Sequence, residues 1–225
     1  MSGEVWEFNV LLPSTQNPPP QIMFITLEGP EGSGKTSHIP QLQEFLLEAG
    51  YAVYCTREPG GTSIGDQIRE VLLTNHNTEM HPRSEILLFQ ASRAQLVEQE
   101  IIPRIEKGEI VLCDRYADST IAYQGYGHQE NLEQLQSIVG FATGGLKPDL
   151  SILLDLDVEI GLLRRQKDGD INRLDAFAVE FHQRVRDGYH KLVAAEPKRW
   201  VVVDASRGFD EVQADLRKVI GNKIA

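Results

Sequence analysis

The chain has 225 residues, enough for one domain with a full core, and its 41% hydrophobic and 24% charged content are those of a globular protein. Its 33 acidic residues outnumber 22 basic ones, and the net charge of −11 argues against a nucleic-acid or membrane-surface partner, which would need a broad basic face. Any anionic ligand must then be met by a local cluster of cations. No apolar run approaches the length of a membrane span, and the N-terminus lacks a signal peptide's basic start and apolar block. Cys55 and Cys113 each stand alone in a β-type run, AVYCT and IVLCD, which suggests small buried hydrophobes in a reducing, cytoplasmic setting.

Residues 1–21 end in three prolines and read as a flexible extension or tether ahead of a domain spanning 22–225, with Met23 a second candidate start. IMFITLEG predicts a first strand. After it, Ile39, Leu42, Phe45 and Leu46 recur at helical spacing, and Gly50 closes that helix. YAVYCT predicts a second strand and GDQIREVLLT a short helix with Ile64, Ile68 and Leu72 on one face. A long helix is predicted over 83–107, with Pro103 kinking or breaking it near its end. EIVLCD, DLSILLDL and RWVVVDA predict three more strands, with helices between them that include NLEQLQSIVGFAT and the closing FDEVQADLRKVIG. Five mostly apolar strands separated by helices predict an α/β, three-layer fold: a five-stranded parallel sheet covered on both faces. Sites in such folds gather beyond the carboxyl ends of the strands.

Residues 29–36, GPEGSGKT, fit G-x-x-x-x-G-K-[ST] after a strand and before a helix, the P-loop context. Gly29, Pro30, Glu31, Gly32, Ser33 and Gly34 form a loop whose backbone N–H groups can curl inward onto phosphate oxygens at a helix N-terminus. Lys35 would bridge the outer phosphates and Thr36 would hold Mg²⁺. The motif predicts binding of a nucleoside triphosphate. A GTPase switch is disfavoured, because the lone Asn222-Lys223 pair stands at the end of the chain without an Asp two residues on.

A second anion site is predicted from TREPGGTSIGDQIRE and CDRY. Arg57 ends one strand, Arg69 lies on the next helix, and Asp114 and Arg115 end another strand at the same sheet edge. Each arginine alone reads equally as a surface ion-pair partner, but together they can hold a monophosphate with forked hydrogen bonds. Asp114, after four apolar residues, suits an Mg²⁺ shell. Phe89 and Arg93 are spaced i, i+4 and share a helix face: a ring to stack on a planar base and a donor for its carbonyl edge. Ser119, Thr120, Tyr123 and Gln124 could read the same base.

The motifs EGPEGSGKT, TREPGGT, LLFQASRAQLV, CDRYADSTIAYQG, KPDLSILLD, NRLD and FHQRVRDGYHKL, in this order, resemble bacterial thymidylate kinase over residues 23–221. The resemblance implies transfer of the ATP γ-phosphate to dTMP, with Mg²⁺, by a homodimer. By the same resemblance Glu31 is the loop carboxylate that orients the acceptor site. Arg57, Arg69 and Arg115, with Glu58 beside them, surround the acceptor phosphate, Phe89 stacks on thymine and Arg93 donates to its carbonyl. Thr120 and Gln124 are base contacts, and Tyr123 crowds the 2′ position. Residues 164–175, RRQKDGDINRLD, resemble the lid of the bacterial class, whose arginines reach the transferring phosphate in place of an arginine in the loop. Gln166 and Asp168 stand where some members carry arginines, so Arg173 is the first candidate for the catalytic lid arginine, followed by Arg165 and Arg164. Two alternatives stay open: a kinase for another monophosphate such as dUMP, and a P-loop nucleotide sensor without turnover.

Overall fold

The computed structural model describes residues 23–169 and 173–224, so the predicted extension 1–21 and residues 170–172 of the predicted lid lie outside the described residues. Five strands, β1 (Phe24–Glu28), β2 (Val53–Arg57), β3 (Ile110–Asp114), β4 (Leu150–Asp155) and β5 (Trp200–Asp204), form one parallel sheet in the order β2-β3-β1-β4-β5. β1 and β3 are buried throughout and β4 up to its last residue, whereas no residue of edge strand β2 is buried. That gradient explains the unbroken apolar runs of the central strands, which must satisfy both faces.

Alternate residues of β1 serve opposite faces. Ile25 and Leu27 pack with Leu42 and Leu46 of α1 (Lys35–Glu48) and with Val212, Leu216 and Ile220 of α9 (Phe209–Ile224). Phe24 packs on the other side with Leu96, Val97, Ile101 and Tyr116. Because β1 has β3 on one side and β4 on the other, the connections diverge there and a crevice opens beyond its carboxyl end. Asp114 is the register partner of both Leu27 and Arg57, so the ends of β1, β2 and β3 reach that crevice together.

The helices differ from expectation in two places. α2 (Ser63–Leu73) buries Leu72, but Ile64 is 52% exposed, because α2 packs on α3 (Pro82–Leu96) and leaves part of its apolar stripe facing outward. The predicted helix 83–107 is interrupted by a π-helical turn at Val97–Ile101 before α4 (Ile102–Glu106). Pro103 has no N–H for the carbonyl of Gln99 and its ring would press on that oxygen, so the wider turn relieves the conflict upstream of the proline rather than at it. α5 (Ala117–Thr120) likewise passes into a π-helical segment, Ile121–Gly127.

Beyond α6 (Leu132–Thr143), α7 (Val158–Asp168) continues through Arg164 and Arg165, which therefore sit on a helix; a 3₁₀ turn, Arg173–Ala176, precedes α8 (Val179–Ala195). Cys113 is buried and Cys55 half-buried, both as free thiols. Among the described residues no helix is long and apolar enough to cross a membrane.

Candidate active site

The loop between β1 and α1 is pressed against α7. Gly32 has φ 69°, and a Cβ there would stand 2.2 Å from the carbonyl oxygen of Gly161, while a Cβ on Gly161 would stand 2.2 Å from that of Glu31. Gly161 is thus part of the loop's seat, which its position inside a helical run conceals. Gly161→Ala is expected to cost about 2 kcal/mol through overpacking and to weaken binding of a nucleoside triphosphate at the loop more than binding of a monophosphate beyond it. Thermal melts with each ligand check this; equal losses for both ligands would count against a local effect on the loop.

Lys35 is buried, and its Nζ donates to the carbonyls of Gly29 (3.1 Å) and Pro30 (2.8 Å) and to Ser33 Oγ (3.0 Å). Burial, then the neighbouring Arg115, pull its pKa down to about 8 despite Glu31, Asp114 and Glu28. The Thr36 hydroxyl donates to Asp114 Oδ2 across the loop–strand gap. These two oxygens are a hard donor set of the kind Mg²⁺ shares with substrate phosphates and water, since it seldom uses an all-protein cage. The described residues contain no group of three or more His, Cys, Asp or Glu side chains placed to hold a metal.

Arg115 adopts φ 68°, an uncommon conformation for a bulky residue that turns its guanidinium back over the loop. Its Nη1 donates to the Gly29 carbonyl (2.9 Å), its Nη2 to Glu31 Oε2 (3.0 Å), and it stacks over the Tyr123 ring at 4.9 Å. Tyr123 donates its hydroxyl to Glu31 Oε1 at 2.8 Å. Burial alone would raise the Glu31 pKa, but Arg115, Lys35 and the Tyr123 hydroxyl hold it down to about 2. An anion therefore separates two cations that would otherwise repel.

Beneath Arg115 lies Glu28, a residue not singled out in the sequence. It accepts from the Tyr116 amide (2.8 Å), the Ser119 hydroxyl (2.6 Å) and the Tyr189 hydroxyl (3.1 Å). Burial, then Asp118, raise its pKa to about 8. The available signal was an acid ending an apolar strand immediately before the loop.

At the other end of the crevice, Arg57 is half-exposed with Asp66 3.3 Å away, and Arg69 donates to the Pro59 carbonyl at 2.9 Å. Phe89 is half-buried on the cleft wall. Arg93, one turn along, is only 1% exposed and every N–H is directed at a protein acceptor. Nε and Nη2 grip Glu58 (2.9 and 2.6 Å to Oε2), Nη2 also reaches the Tyr116 carbonyl (3.1 Å), and Nη1 donates to Gln90 Oε1 (2.6 Å) and Thr120 Oγ1 (2.9 Å). Gln90, which the sequence reading passed over, also donates to Thr120 at 3.2 Å. Gln124 donates its Nε2 to Glu85 Oε1 at 2.8 Å.

Apart from Glu28, Gln90 and Glu85, which lie behind its wall, the side chains of these groups border one continuous cleft of about 1110 Å³, more than a single drug-sized ligand needs. Of the predicted site residues, all but Gly29, Pro30 and Arg173 line it, and the first two face it indirectly by accepting from Lys35. Arg165 lines it and grips Asp175 through two hydrogen bonds (3.2 and 2.9 Å). Arg164 lines it too, donating to the Gly32, Ala205 and Ser206 carbonyls. Arg173 is buried away from it, bonded to Glu85 and to the Leu72 carbonyl. The cleft also includes Arg207, Phe209 and His38, the last two stacked at 4.3 Å. Arg207 and Phe209 follow the carboxyl end of β5, where the strand-end rule applied to the fifth strand would have found them.

A model of the family described as thymidylate kinase matches residues 27–216. The chain is 47% identical over 211 residues to a thymidylate kinase of Roseiflexus castenholzii, covering 88% of this chain and 92% of that protein. It is 49% identical over 203 residues to one of Deinococcus radiodurans, with 90% and 98% covered. A crystal structure of thymidylate kinase from Ehrlichia chaffeensis superposes with a TM-score of 0.72 at 32% identity, covering 88% of this chain and 98% of that one. A P-loop on a parallel sheet in the order β2-β3-β1-β4-β5, together with these likenesses, places the chain in the thymidylate kinase family.

Proposed function

We propose that the chain transfers the γ-phosphoryl group of ATP to dTMP, forming ADP and dTDP. The observation that carries this reading is the single cleft that runs from the phosphate loop to a second cluster of cations, Arg57, Arg69 and Arg115, beside Phe89. A nucleotide sensor has no need of a second phosphate clamp. Loop amides and Lys35 would hold the donor phosphates, while Arg57, Arg69 and Arg115 would present the acceptor phosphate oxygen in line. Thr36 and Asp114 would hold Mg²⁺, which when bound supplies charge neutralisation between donor phosphates. Arg165 and Arg164, on the cleft wall, are better placed to meet the transferring phosphate than Arg173. Residues 164–175 would act as a lid that excludes water and so favours transfer over hydrolysis. Tyr123, hydrogen-bonded to Glu31 and stacked under Arg115, would crowd a 2′-hydroxyl.

A homodimer fits the exterior. Ile64 and Val71 on α2, Leu87 on α3 and Phe141 on α6, the last 90% exposed, are outward-facing apolar side chains on three helices that pack side by side, a surface suited to a second copy.

A coupled assay with ATP, Mg²⁺ and a panel of dTMP, dUMP, UMP, CMP and dGMP tests the reaction. Turnover is expected to be fastest with dTMP. Preferred turnover of UMP or dGMP would remove the thymidylate reading, and no ADP with any acceptor would favour the sensor. Light scattering on the same sample is expected to give twice the chain mass.

A further inference from the structure

Glu85 opens α3, four residues before Phe89 and eight before Arg93, yet it does not line the cleft. It is 1% exposed, a degree of burial that a carboxylate tolerates only with several partners. Oε2 accepts from Arg173 Nη2 at 2.5 Å, Oε1 accepts from Gln124 Nε2 at 2.8 Å, and His128 Nε2 lies 3.3 Å from Oε1. Although burial acts to raise its pKa, the contacts with His128, Gln124 and Arg173 hold it below the usual range, so Glu85 is an anion.

Its partners come from places with different business. Gln124 is on the acceptor wall of the cleft. Arg173 begins the 3₁₀ turn, and two residues on Asp175 holds Arg165, which lines the cleft and is close enough to help lower the Glu31 pKa. Between them Leu174 is buried against the cleft, and Phe177 packs on Phe181 and the His128 ring. The turn thus has two arms, Arg173 to Glu85 and Asp175 to Arg165. A carboxylate is a rigid fork, so a shift of Oε1 with Gln124 carries Oε2 and Arg173 with it.

We propose that Glu85 is a positioning residue that couples occupancy of the acceptor-base pocket, through Gln124, to the placement of Arg165 beside the donor phosphates, through Arg173 and the 3₁₀ turn. This deepens the reading of the cleft as a two-nucleotide site and rests on it. An anchor that merely fastened residues 173–176 would stabilise the fold without linking the two ligands.

The test is the affinity of a non-hydrolysable ATP analogue with and without saturating dTMP, measured calorimetrically for the wild-type chain and Glu85→Gln. In the wild type dTMP is expected to tighten analogue binding at least about fivefold. In Glu85→Gln that ratio is expected to fall to near one and kcat to drop about tenfold. Glu85→Gln leaves Arg173 buried without its anion, so the double variant Glu85→Gln/Arg173→Gln, an amide pair of similar size, serves if the single one does not fold, with the same loss of coupling expected. A wild-type ratio of one, or a lowered Tm in either variant with the ratio preserved, overturns the proposal. Absence of dTMP turnover by the wild type would instead overturn the acceptor assignment, and the coupling is then measured with whichever monophosphate is turned over.

Discussion

Lys35→Met is expected to lower kcat by about 10³-fold or more while leaving the fold intact, the scale at which loss of a charge-stabilising donor acts on phosphoryl transfer. Without ligand, the Lys35 ammonium is satisfied by two loop carbonyls and Ser33, so it is already placed among groups that phosphate oxygens would replace. Methionine keeps the length of the stem and abandons only these acceptors, of which the Gly29 carbonyl still accepts from Arg115. The Tm is expected to fall by a few degrees at most. A linked pH effect follows from the pKa of about 8 in the free protein. Below that pH Lys35 is charged and ready for an anion; above it, binding a triphosphate must first recover a proton. Affinity for an ATP analogue should therefore fall as pH rises past 8, approaching tenfold per pH unit. Glu28 also ionises near 8, and it remains in Lys35→Met, so calorimetric titration of both proteins between pH 7 and 9.5 isolates the lysine. Equal slopes in the two proteins would assign the pH dependence to Glu28, and an active Lys35→Met would remove the lysine from the mechanism.

What was legible in the sequence is what local spacing encodes. The loop at 29–36 and the five strands rest on contacts within a few residues or on burial of both sheet faces, and they appear where expected. Arg57, Asp114 and Arg115 were found because strand ends in a parallel sheet converge by topology. The unread part depends on partners far apart in the chain. Nothing near Glu28 announces Tyr189, 161 residues away, as its hydrogen-bond donor. Arg173 was ranked first among the lid arginines by its motif, yet the fold sends it to Glu85, 88 residues away, while Arg164 and Arg165, on the helical run VEIGLLRR, line the cleft. Gly161 is invisible for the same reason: its role is the room it leaves for the Glu31 carbonyl.

Arg93→Ala is expected to cost about 3–5 kcal/mol of stability, the scale for breaking a buried ion pair, before any effect on substrate is considered. Spacing makes Arg93 a donor for the carbonyl edge of a base, and the family resemblance makes that base thymine, so loss of the arginine would be expected to raise the KM for dTMP far more than that for ATP. The fold adds a heavier duty. Arg93 occupies all five donors on Glu58, Gln90, Thr120 and the Tyr116 carbonyl, tying the segment after β2, helix α3 and the start of α5 into one wall. Truncation leaves the Glu58 carboxylate buried without its cation and loosens Thr120, so Tm should fall by roughly 6–20 °C for a chain of this size. Phe89→Ala provides the contrast: the ring is only half-buried and lines the cleft, so its loss should raise the dTMP KM with a much smaller change in Tm. Glu58→Ala/Arg93→Ala should be less destabilised than the two single losses added together, because the second removal no longer strands a charge. If Arg93→Ala keeps the wild-type Tm and changes only the dTMP KM, its donors are held loosely enough to be exchanged for a base, and the arginine reads the acceptor directly. If both quantities change and the double variant recovers stability without recovering KM, Arg93 does both: one guanidinium holds the acceptor wall in place, and a ligand carbonyl arriving at Nη1 would share the donor that Thr120 and Gln90 now accept.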